Sequence, residues 1–277
     1  MRNPQMTKVD VLLQLGETGV YELPPEVSVA ANAYRLINAR SEENARAATS
    51  VGTAIVDELV DEVVERATST GKLPANLSTR IAKAEADDKR VQIEGRVLSF
   101  ALEHAGNRLV ASFGLAEEPF HQAFTNAFED VLDGAREVAQ VLRGVNVRRA
   151  VNVLGSPEHV QAFQRLEQLV ARFAALRSAH RHLRALNGVP QRDDGLFAEL
   201  RNAPAIWGES LNARWSTTER PWPTDGNEYL LWLVTANDPT PEPWFPTADA
   251  QDAVWEAWME PRRPTVSART IRQYFTG

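Results

Sequence analysis

The side chains best suited to acid–base or metal chemistry are five histidines: His104, His121, His159, His180 and His182. A helical zinc site needs two histidines four residues apart beside a glutamate, and no pair has this spacing. His180 and His182 are two residues apart, so they lie on different faces of a helix. A di-metal bundle needs Glu-x-x-His on two helices, and only Glu118–His121 has these letters. The sequence therefore predicts no metal site.

The chain also lacks cysteine, which excludes disulfides, thiolate zinc sites and cysteine nucleophiles. It contains neither a phosphate-binding loop nor a dinucleotide fingerprint. Residues 208–212 read Gly-Glu-Ser-Leu-Asn, without the second glycine of a hydrolase nucleophile elbow. We therefore expect a protein that is not an enzyme and holds no cofactor.

Arginines supply the remaining chemistry, which is contact with phosphate groups. The chain has 26 arginines and four lysines, and Arg177, Arg181 and Arg184 share one face of a predicted helix. A second group lies near residue 277: Arg262, Arg263, Arg269 and Arg272. Both groups are candidate nucleic-acid or phosphate contacts. In the alternative, which the net charge of −7 favours, these arginines pair with acidic helices or face solvent.

Residues 265–272 read Thr-Val-Ser-Ala-Arg-Thr-Ile-Arg. This segment resembles the recognition helix of helix-turn-helix proteins in its serine cap, its arginine and its Thr-Ile core pair. The resemblance covers about ten residues and implies binding in a DNA groove. It departs from the family at 260–266, which is longer than the usual turn of three to four residues. The alternative is a terminal helix that packs Ile271, Tyr274 and Phe275 onto the aromatic region.

Four long helices are predicted to position these residues, because apolar side chains recur at spacings of three and four. Their predicted ranges are 25 to about 70, 78 to 106, 117 to 145 and 157 to 187. Ser156 is the natural cap of the last helix and Pro157 suits its first position. Short connections favour antiparallel neighbours, and a spacing near 3.5 favours coiled-coil-like packing. The predicted fold is mainly α, an elongated antiparallel helical bundle.

Buried stripes follow from the same spacing. The third helix would bury Phe124, Phe128, Val131, Ala135, Val138, Leu142 and Val145. The fourth would bury Val160, Phe163, Leu166, Val170, Phe173 and Leu176. Small residues would let the first two helices approach closely, namely Ala45, Ala48, Gly52, Ala84 and Gly95.

Residues 7–24 allow two interpretations. Thr7 could cap a short helix that ends at Gly16, or the segment could form a hairpin that turns at residues 16–19. We favour the helix.

The last third of the chain has a different composition. All seven tryptophans lie between Trp207 and Trp258, and nine of 16 prolines lie between Pro204 and Pro264. We therefore predict an N-terminal arm (1–24), a helical bundle (25–188) and a smaller, irregular Trp/Pro-rich domain (189–277). That domain would hold at most a short strand or two and would end in two short helices.

Within the last domain, 229–235 is the best strand candidate of the chain, with a buried helical segment as the alternative. Thr247 is expected to cap a helix that runs to about Met259, and a second short helix follows at 267–274. The aromatic residues could fill a small core or form a docking surface. Candidate interface residues are Trp207, Trp215, Trp222, Trp244 and Phe245.

These expectations favour a non-enzymatic structural or assembly protein that acts through protein–protein contacts, such as a viral or phage coat or virion-assembly component. A homo-oligomer or a protein partner is expected. No apolar run approaches the roughly 20 residues that span a membrane, so we expect no membrane partner and a cytoplasmic location, or the virion if the source is viral. The alternative is a nucleic-acid-binding protein that uses the arginine groups.

Overall fold

The computed structural model describes residues 4–70, 77–147, 153, 155–189, 199–207 and 222–259. Within these ranges the chain is mainly helical, which confirms the mainly-α prediction, and Leu200 and Pro243 form an isolated bridge. The helices are α1 (Pro4–Glu17), α2 (Pro25–Thr70), α3 (Leu77–Leu115), α4 (Glu117–Val141), α5 (Pro157–Leu186), α6 (Ala203–Trp207), α7 (Gly226–Thr235) and α8 (Ala248–Met259).

Packing divides the chain into two compact units. Unit 1 comprises Met1–Met6 and Pro24–Ala116, and unit 2 comprises Thr7–Leu23 and Glu117–Gly277. The predicted boundary near residues 188–190 marks a change of composition, but the contacts divide elsewhere. The reason is that α7 packs against both α4 and α5, so this part of the last third shares the core of the preceding helices.

Unit 1 contains the antiparallel hairpin of α2 and α3. Arg40 Nη2 donates to Glu94 Oε1 over 2.6 Å, and Asn44 Nδ2 donates to the Val91 carbonyl over 3.3 Å. Residue numbers rise along α2 while those of the contacts on α3 fall, so the predicted antiparallel packing is confirmed here. A Cβ atom at Gly95 would lie 3.0 Å from Asn44 Nδ2. Gly95 therefore permits the close helix approach that was predicted for it.

Helix α3 continues past Gly106, where the sequence predicted its end, and runs to Leu115. Leu109 and Phe113 are fully buried, so apolar residues favour continuation of the helix beyond the glycine. The Tyr34 ring lies 3.6 Å from the position of a Cβ atom at Gly106. The glycine thus serves a close contact within unit 1 and not a helix end.

Helices α4 and α5 form the centre of unit 2. The predicted stripe of α4 is buried from Phe124 through Leu142, and Val145 is half-buried. The helix ends at Val141, four residues before the predicted end, and the following turn has Gly144 at φ +78°. A positive φ favours glycine, which explains the position of this turn.

Helix α5 begins as predicted, with Ser156 Oγ accepting a hydrogen bond of 3.2 Å from the Glu158 amide. Of its predicted stripe, Leu166, Phe173 and Leu176 are buried. The prediction was wrong in part, because the other three members are only half-buried: Val160, Phe163 and Val170. Buried positions instead include Ala162 and Leu169 and continue from Ala179 to Leu186, since a straight helix drifts against a spacing of 3.5.

The helical interpretation of residues 7–24 is confirmed, although α1 begins at Pro4 and not after a cap at Thr7. Val9 and Leu12 are fully buried, which explains why the segment is helical and not a hairpin. The Tyr21 hydroxyl donates to the Leu12 carbonyl over 2.6 Å, and burial raises the pKa of this phenol. Its ring packs edge-on against Phe124 at 4.8 Å between centroids.

The strand prediction for 229–235 is wrong, because this segment belongs to helix α7. The Asp225 carboxylate accepts hydrogen bonds of 3.0 and 3.1 Å from the amides of Asn227 and Glu228, which begins the helix. Tyr229, Leu230 and Leu233 are then buried together at helical spacing.

The cap of α8 is as predicted, with Thr247 Oγ1 accepting a hydrogen bond of 3.1 Å from the Ala250 amide. The predicted helix at 267–274, with its resemblance to a recognition helix, lies outside the described residues.

Candidate functional site

An extended segment, residues 240–246, crosses the aromatic core of unit 2; we call it the anchored segment. Its Phe245 ring lies 5.3 Å from that of Phe128 and 5.9 Å from that of Phe124, between centroids. Two groups of residues bind its backbone: side chains of α4 and α5, and the backbone of residues 199–201 together with the Asn202 side chain.

Arg177 of α5 forms the most extensive of these contacts. Its Nη1 donates to the Trp244 carbonyl over 2.7 Å and its Nη2 donates to the Glu199 carbonyl over 3.0 Å. The guanidinium also lies 4.4 Å from the centroid of the Phe245 ring, a cation–π arrangement. Burial lowers the pKa of Arg177, yet an arginine stays protonated in proteins. A positive charge therefore joins two backbone carbonyls inside unit 2.

Two histidines bind the next two carbonyls. His121 Nδ1 lies 3.1 Å from the Phe245 oxygen, and His180 Nε2 lies 2.9 Å from the Pro246 oxygen. A carbonyl oxygen only accepts, so each of these ring nitrogens carries the proton and donates it. The two rings lie edge to face at 5.3 Å. The three side chains thus bind three consecutive carbonyls, those of residues 244, 245 and 246.

The opposite edge of the anchored segment pairs with residues 199–202. The Trp244 amide donates to the Glu199 carbonyl over 3.3 Å, and the Arg201 amide donates to the Glu242 carbonyl over 2.8 Å. Asn202 uses both ends of its amide, donating to the Thr240 carbonyl over 2.7 Å and accepting from the Glu242 amide over 2.9 Å. All of these polar groups bind the chain's own backbone. They hold the anchored segment in place, and their donors are used within the chain.

These contacts change the interpretation of the arginines that the sequence predicted to contact phosphate. Arg177 is half-buried and its Nη1 and Nη2 are bound to the chain's own carbonyls, whereas a phosphate contact requires an accessible guanidinium. Arg181 is exposed, and half-buried Arg184 has its Nη1 3.5 Å from the Pro246 oxygen. The other four arginine candidates lie outside the described residues: Arg262, Arg263, Arg269 and Arg272.

Of the candidate interface aromatics, Trp222 and Phe245 are buried in unit 2. Trp222 stacks on Trp232 at 6.2 Å between centroids, and half-buried Trp244 lies 5.9 Å from the Arg201 guanidinium. These three therefore contribute to a core, one of the two interpretations that the sequence left open. Trp215 and the side chain of Trp207 lie outside the part of the chain that the structure describes.

Sequence reasoning missed an apolar face on unit 1. Its members are large apolar side chains that face solvent: Val29, Leu36, Ile93, Val97, Phe100 and Leu115. Leu36 is 74% exposed and Leu115 is 89% exposed. The signal in the sequence was a second apolar spacing in α3, at positions 93, 97 and 100, beside the seam that packs on α2.

Part of this face is a groove of about 660 Å³ within unit 1. Val29, Ala33 and Ile37 line it from α2, and Ala111 and Leu115 line it from α3. The alanines that line the groove leave space that larger side chains would fill. The groove is therefore a concave, mostly apolar surface of the kind that receives apolar side chains.

Two kinds of feature are absent from the described ranges, a metal site and a membrane-spanning helix. No group of three or more histidine or acidic side chains there is arranged to hold a metal ion. No described helix is both long enough and apolar enough to span a bilayer. Comparison of the chain with protein families, with curated proteins and with solved structures found no match.

The burial of His180 makes the stability of unit 2 depend on pH. Burial, the largest cause, lowers the pKa of His180 from 6.5 to about 3. Between these values the unfolded chain binds the extra proton and the folded chain does not, so acid favours unfolding. The contribution to the free energy of unfolding is complete above pH 6.5, and it decreases by at most about 1.4 kcal/mol per pH unit down to pH 3. Urea unfolding across this range measures the slope.

His180→Gln should reduce that slope, because an amide keeps an N–H donor for the Pro246 carbonyl but does not titrate. The matched control is His159→Gln, in the first turn of α5 and about 30 Å along the helix from His180. An unchanged slope in His180→Gln would show that other groups account for the acid sensitivity.

Proposed function

We propose that this chain is a non-enzymatic structural or assembly protein that acts through protein–protein contacts made by the apolar face of unit 1. The observation that supports this most strongly is the concentration of exposed large apolar residues on α2 and α3. Single exposed apolar side chains are common, but several on one face of a helix, such as Ile93, Val97 and Phe100, are typical of an interaction surface.

The energetic argument is that these side chains gain stability when a partner covers them. Burying a valine, leucine or phenylalanine contributes about 1.5–3 kcal/mol relative to leaving it in water. Leu36 and Leu115, together with Phe100 at 67% exposed, keep most of their surface in contact with water. A partner that covers several of them can offset the entropy cost of association.

The contrast with unit 2 supports the same assignment. There, aromatic side chains are buried and the donors of Arg177, His121 and His180 bind the chain's own backbone. Among the described residues of unit 2, Val141 is the one large apolar side chain that is exposed, at 44%. We infer that unit 2 holds its own segment together and that unit 1 carries the contact surface.

Size-exclusion chromatography with light scattering tests the proposal. As the protein concentration rises, we expect the measured mass to exceed the 30.8 kDa of a single chain. A triple variant, Leu36→Ser, Phe100→Ser and Leu115→Ser, should shift the protein towards a monomer without loss of helicity. Val141→Ser, an exposed apolar residue of unit 2, is the matched control. A chain that stays monomeric at every concentration and forms no cross-linked complex would contradict the proposal, and so would a triple variant that assembles like the wild type.

A further inference from the structure

The exposed side of α3 carries a regular apolar stripe formed by Ile93, Val97, Phe100 and His104; we call it the outer stripe. The spacing of four, three and four places these residues on one face. Ile93, Val97 and Phe100 are 62%, 60% and 67% exposed. The seam with α2 lies elsewhere around α3, at Val91 and Gly95. Helix α3 therefore has two apolar faces, of which the structure covers one.

We infer that the outer stripe packs against the outer stripe of a second copy of this chain, with the two α3 helices antiparallel about a two-fold axis near residues 98–99. This inference rests on the proposed function and names the partner. The spacing is that of alternating heptad positions d and a, which pack as knobs into holes between helices. In this register Val97 faces the second copy's Phe100, and Ile93 faces the second copy's His104. Each contact occurs twice because a two-fold interface is isologous.

The charges beside the stripe fit this register. Exposed Arg96 and Glu103 lie on one side of the stripe, and half-buried Glu94 and exposed Arg108 lie on the other. In the antiparallel pair, Arg96 faces the second copy's Glu103, and Glu94 faces the second copy's Arg108. Flanking pairs of opposite charge select partner and orientation in coiled coils. One register therefore gives four attractive contacts.

Two smaller features fit as well. At the centre of the pair, Ala101 would lie beside its own counterpart, where a small side chain lets the helices approach. Glu94 is already bonded to Arg40 over 2.6 and 3.0 Å, which holds its carboxylate at the edge of the stripe.

A parallel alignment fits less well. Each stripe residue would then face its own counterpart, so that Arg90, at the preceding position of the same heptad pattern, would lie opposite another arginine. Arg96 would face Ala101 and lose its acidic partner, although Glu103 would face Arg108 and Lys89 would face Glu94. In the antiparallel register Arg90 instead faces Asn107. Since opposite charges flank the stripe in both alignments, the apposed arginines at position 90 are what favours the antiparallel pair.

Charge reversal tests the pairing, with the dissociation constant measured by sedimentation equilibrium of the full chain. Arg96→Glu and Glu103→Arg should each weaken the dimer roughly tenfold, because attractive contacts become repulsive in both halves of the interface. The double variant, Arg96→Glu with Glu103→Arg, should restore wild-type affinity. In a parallel pair the double variant would stay weak, because the arginine introduced at position 103 would face Arg108, and that result would overturn the register.

Phe100→Asp gives the larger effect, a loss of dimer of at least about a hundredfold, since a charge would lie against the second copy's apolar stripe. Circular dichroism should show unchanged helicity, because Phe100 is exposed in the single chain. Val141→Asp is the matched control. If the wild type and Phe100→Asp assemble equally well, this inference is overturned, but the proposed function is not. A wild type that never associates with itself would overturn the inference, and failure to bind any other protein would then also contradict the proposed function.

A distance measurement gives the orientation directly. The chain has no cysteine, so Glu85→Cys carries a single spin label at an exposed position of α3 that is not part of the outer stripe. The antiparallel pair places the two labels about 40 Å apart along the helices at 1.5 Å per residue. Labels within about 20 Å of each other, twice the distance between neighbouring helix axes, would show a parallel pair and overturn the proposed orientation.

Discussion

Phe128→Asp is expected to unfold unit 2. The Phe128 ring is buried, and it lies 5.4 Å from the ring of Phe173 and 5.3 Å from that of Phe245. Loss of a buried phenylalanine costs about 3–5 kcal/mol, and an unpaired carboxylate in its place adds a desolvation cost. Domains are stable by only about 5–15 kcal/mol, so the variant should lose cooperative thermal unfolding. Circular dichroism and calorimetry measure this.

The neighbouring substitution Glu129→Gln is the control, because Glu129 is exposed on the other side of α4. A surface change of this kind should alter the free energy of unfolding by less than about 0.5 kcal/mol. Wild-type stability in Phe128→Asp would mean that Phe128 does not lie in the packed core.

Arg177→Met is expected to be the second most damaging change, with a loss of about 3–6 kcal/mol in the free energy of unfolding. The estimate assumes two hydrogen bonds to a charged donor, each contributing about 1.5–3 kcal/mol. Methionine would fill much of the space but leave the carbonyls of Glu199 and Trp244 without this donor. Urea unfolding monitored by tryptophan fluorescence measures the effect, since the tryptophans of the described residues lie in unit 2.

Two companion variants separate charge from geometry. Arg181→Met removes an exposed arginine of the same helix and should be nearly neutral. Arg177→Lys keeps the positive charge but not the planar fork that reaches two carbonyls, so it should recover only part of the loss. Full recovery by lysine would mean that the charge and not the fork stabilises the segment.

The helices were predictable where the local pattern agreed with the packing. The stripe from Phe124 to Leu142 and the cap at Ser156 follow from spacing and side-chain chemistry within one helix. The end of α3 did not follow, because the burial of Leu109 and Phe113 outweighs the local effect of Gly106. The short apolar run at 229–235 fits a strand or a helix equally well. The hydrogen bonds of Asp225 to the amides of Asn227 and Glu228 identify a helix start, and these bonds are known only from the structure.

The candidate sites were less predictable because they depend on contacts distant in sequence. Arg177, Arg181 and Arg184 share a face by spacing, but the separation of Arg177 from its acceptor Trp244 is 67 residues, and no local pattern reveals that contact. His180 lies on the buried side of the same helix. From the sequence it was considered only as a metal ligand, on the basis of its spacing from other histidines. The sequence of α3 contains two sets of apolar residues at helical spacing, the outer stripe and the seam with α2. Only the solvent exposure of Phe100 shows that the outer stripe is the uncovered one.

The anchored segment also bears on the order in which the chain acquires structure during synthesis. His121 and the Phe245 carbonyl that it binds are 124 residues apart, so the ribosome must release both before this contact forms. The α2–α3 hairpin, with contacts such as Arg40–Glu94 54 residues apart, can form first. Until residues 240–246 emerge, the aromatic rings of α4 and α5 lack the Phe245 side chain that packs on them. We therefore expect nascent chains in that interval to be prone to aggregation, because their aromatic surface is incompletely covered.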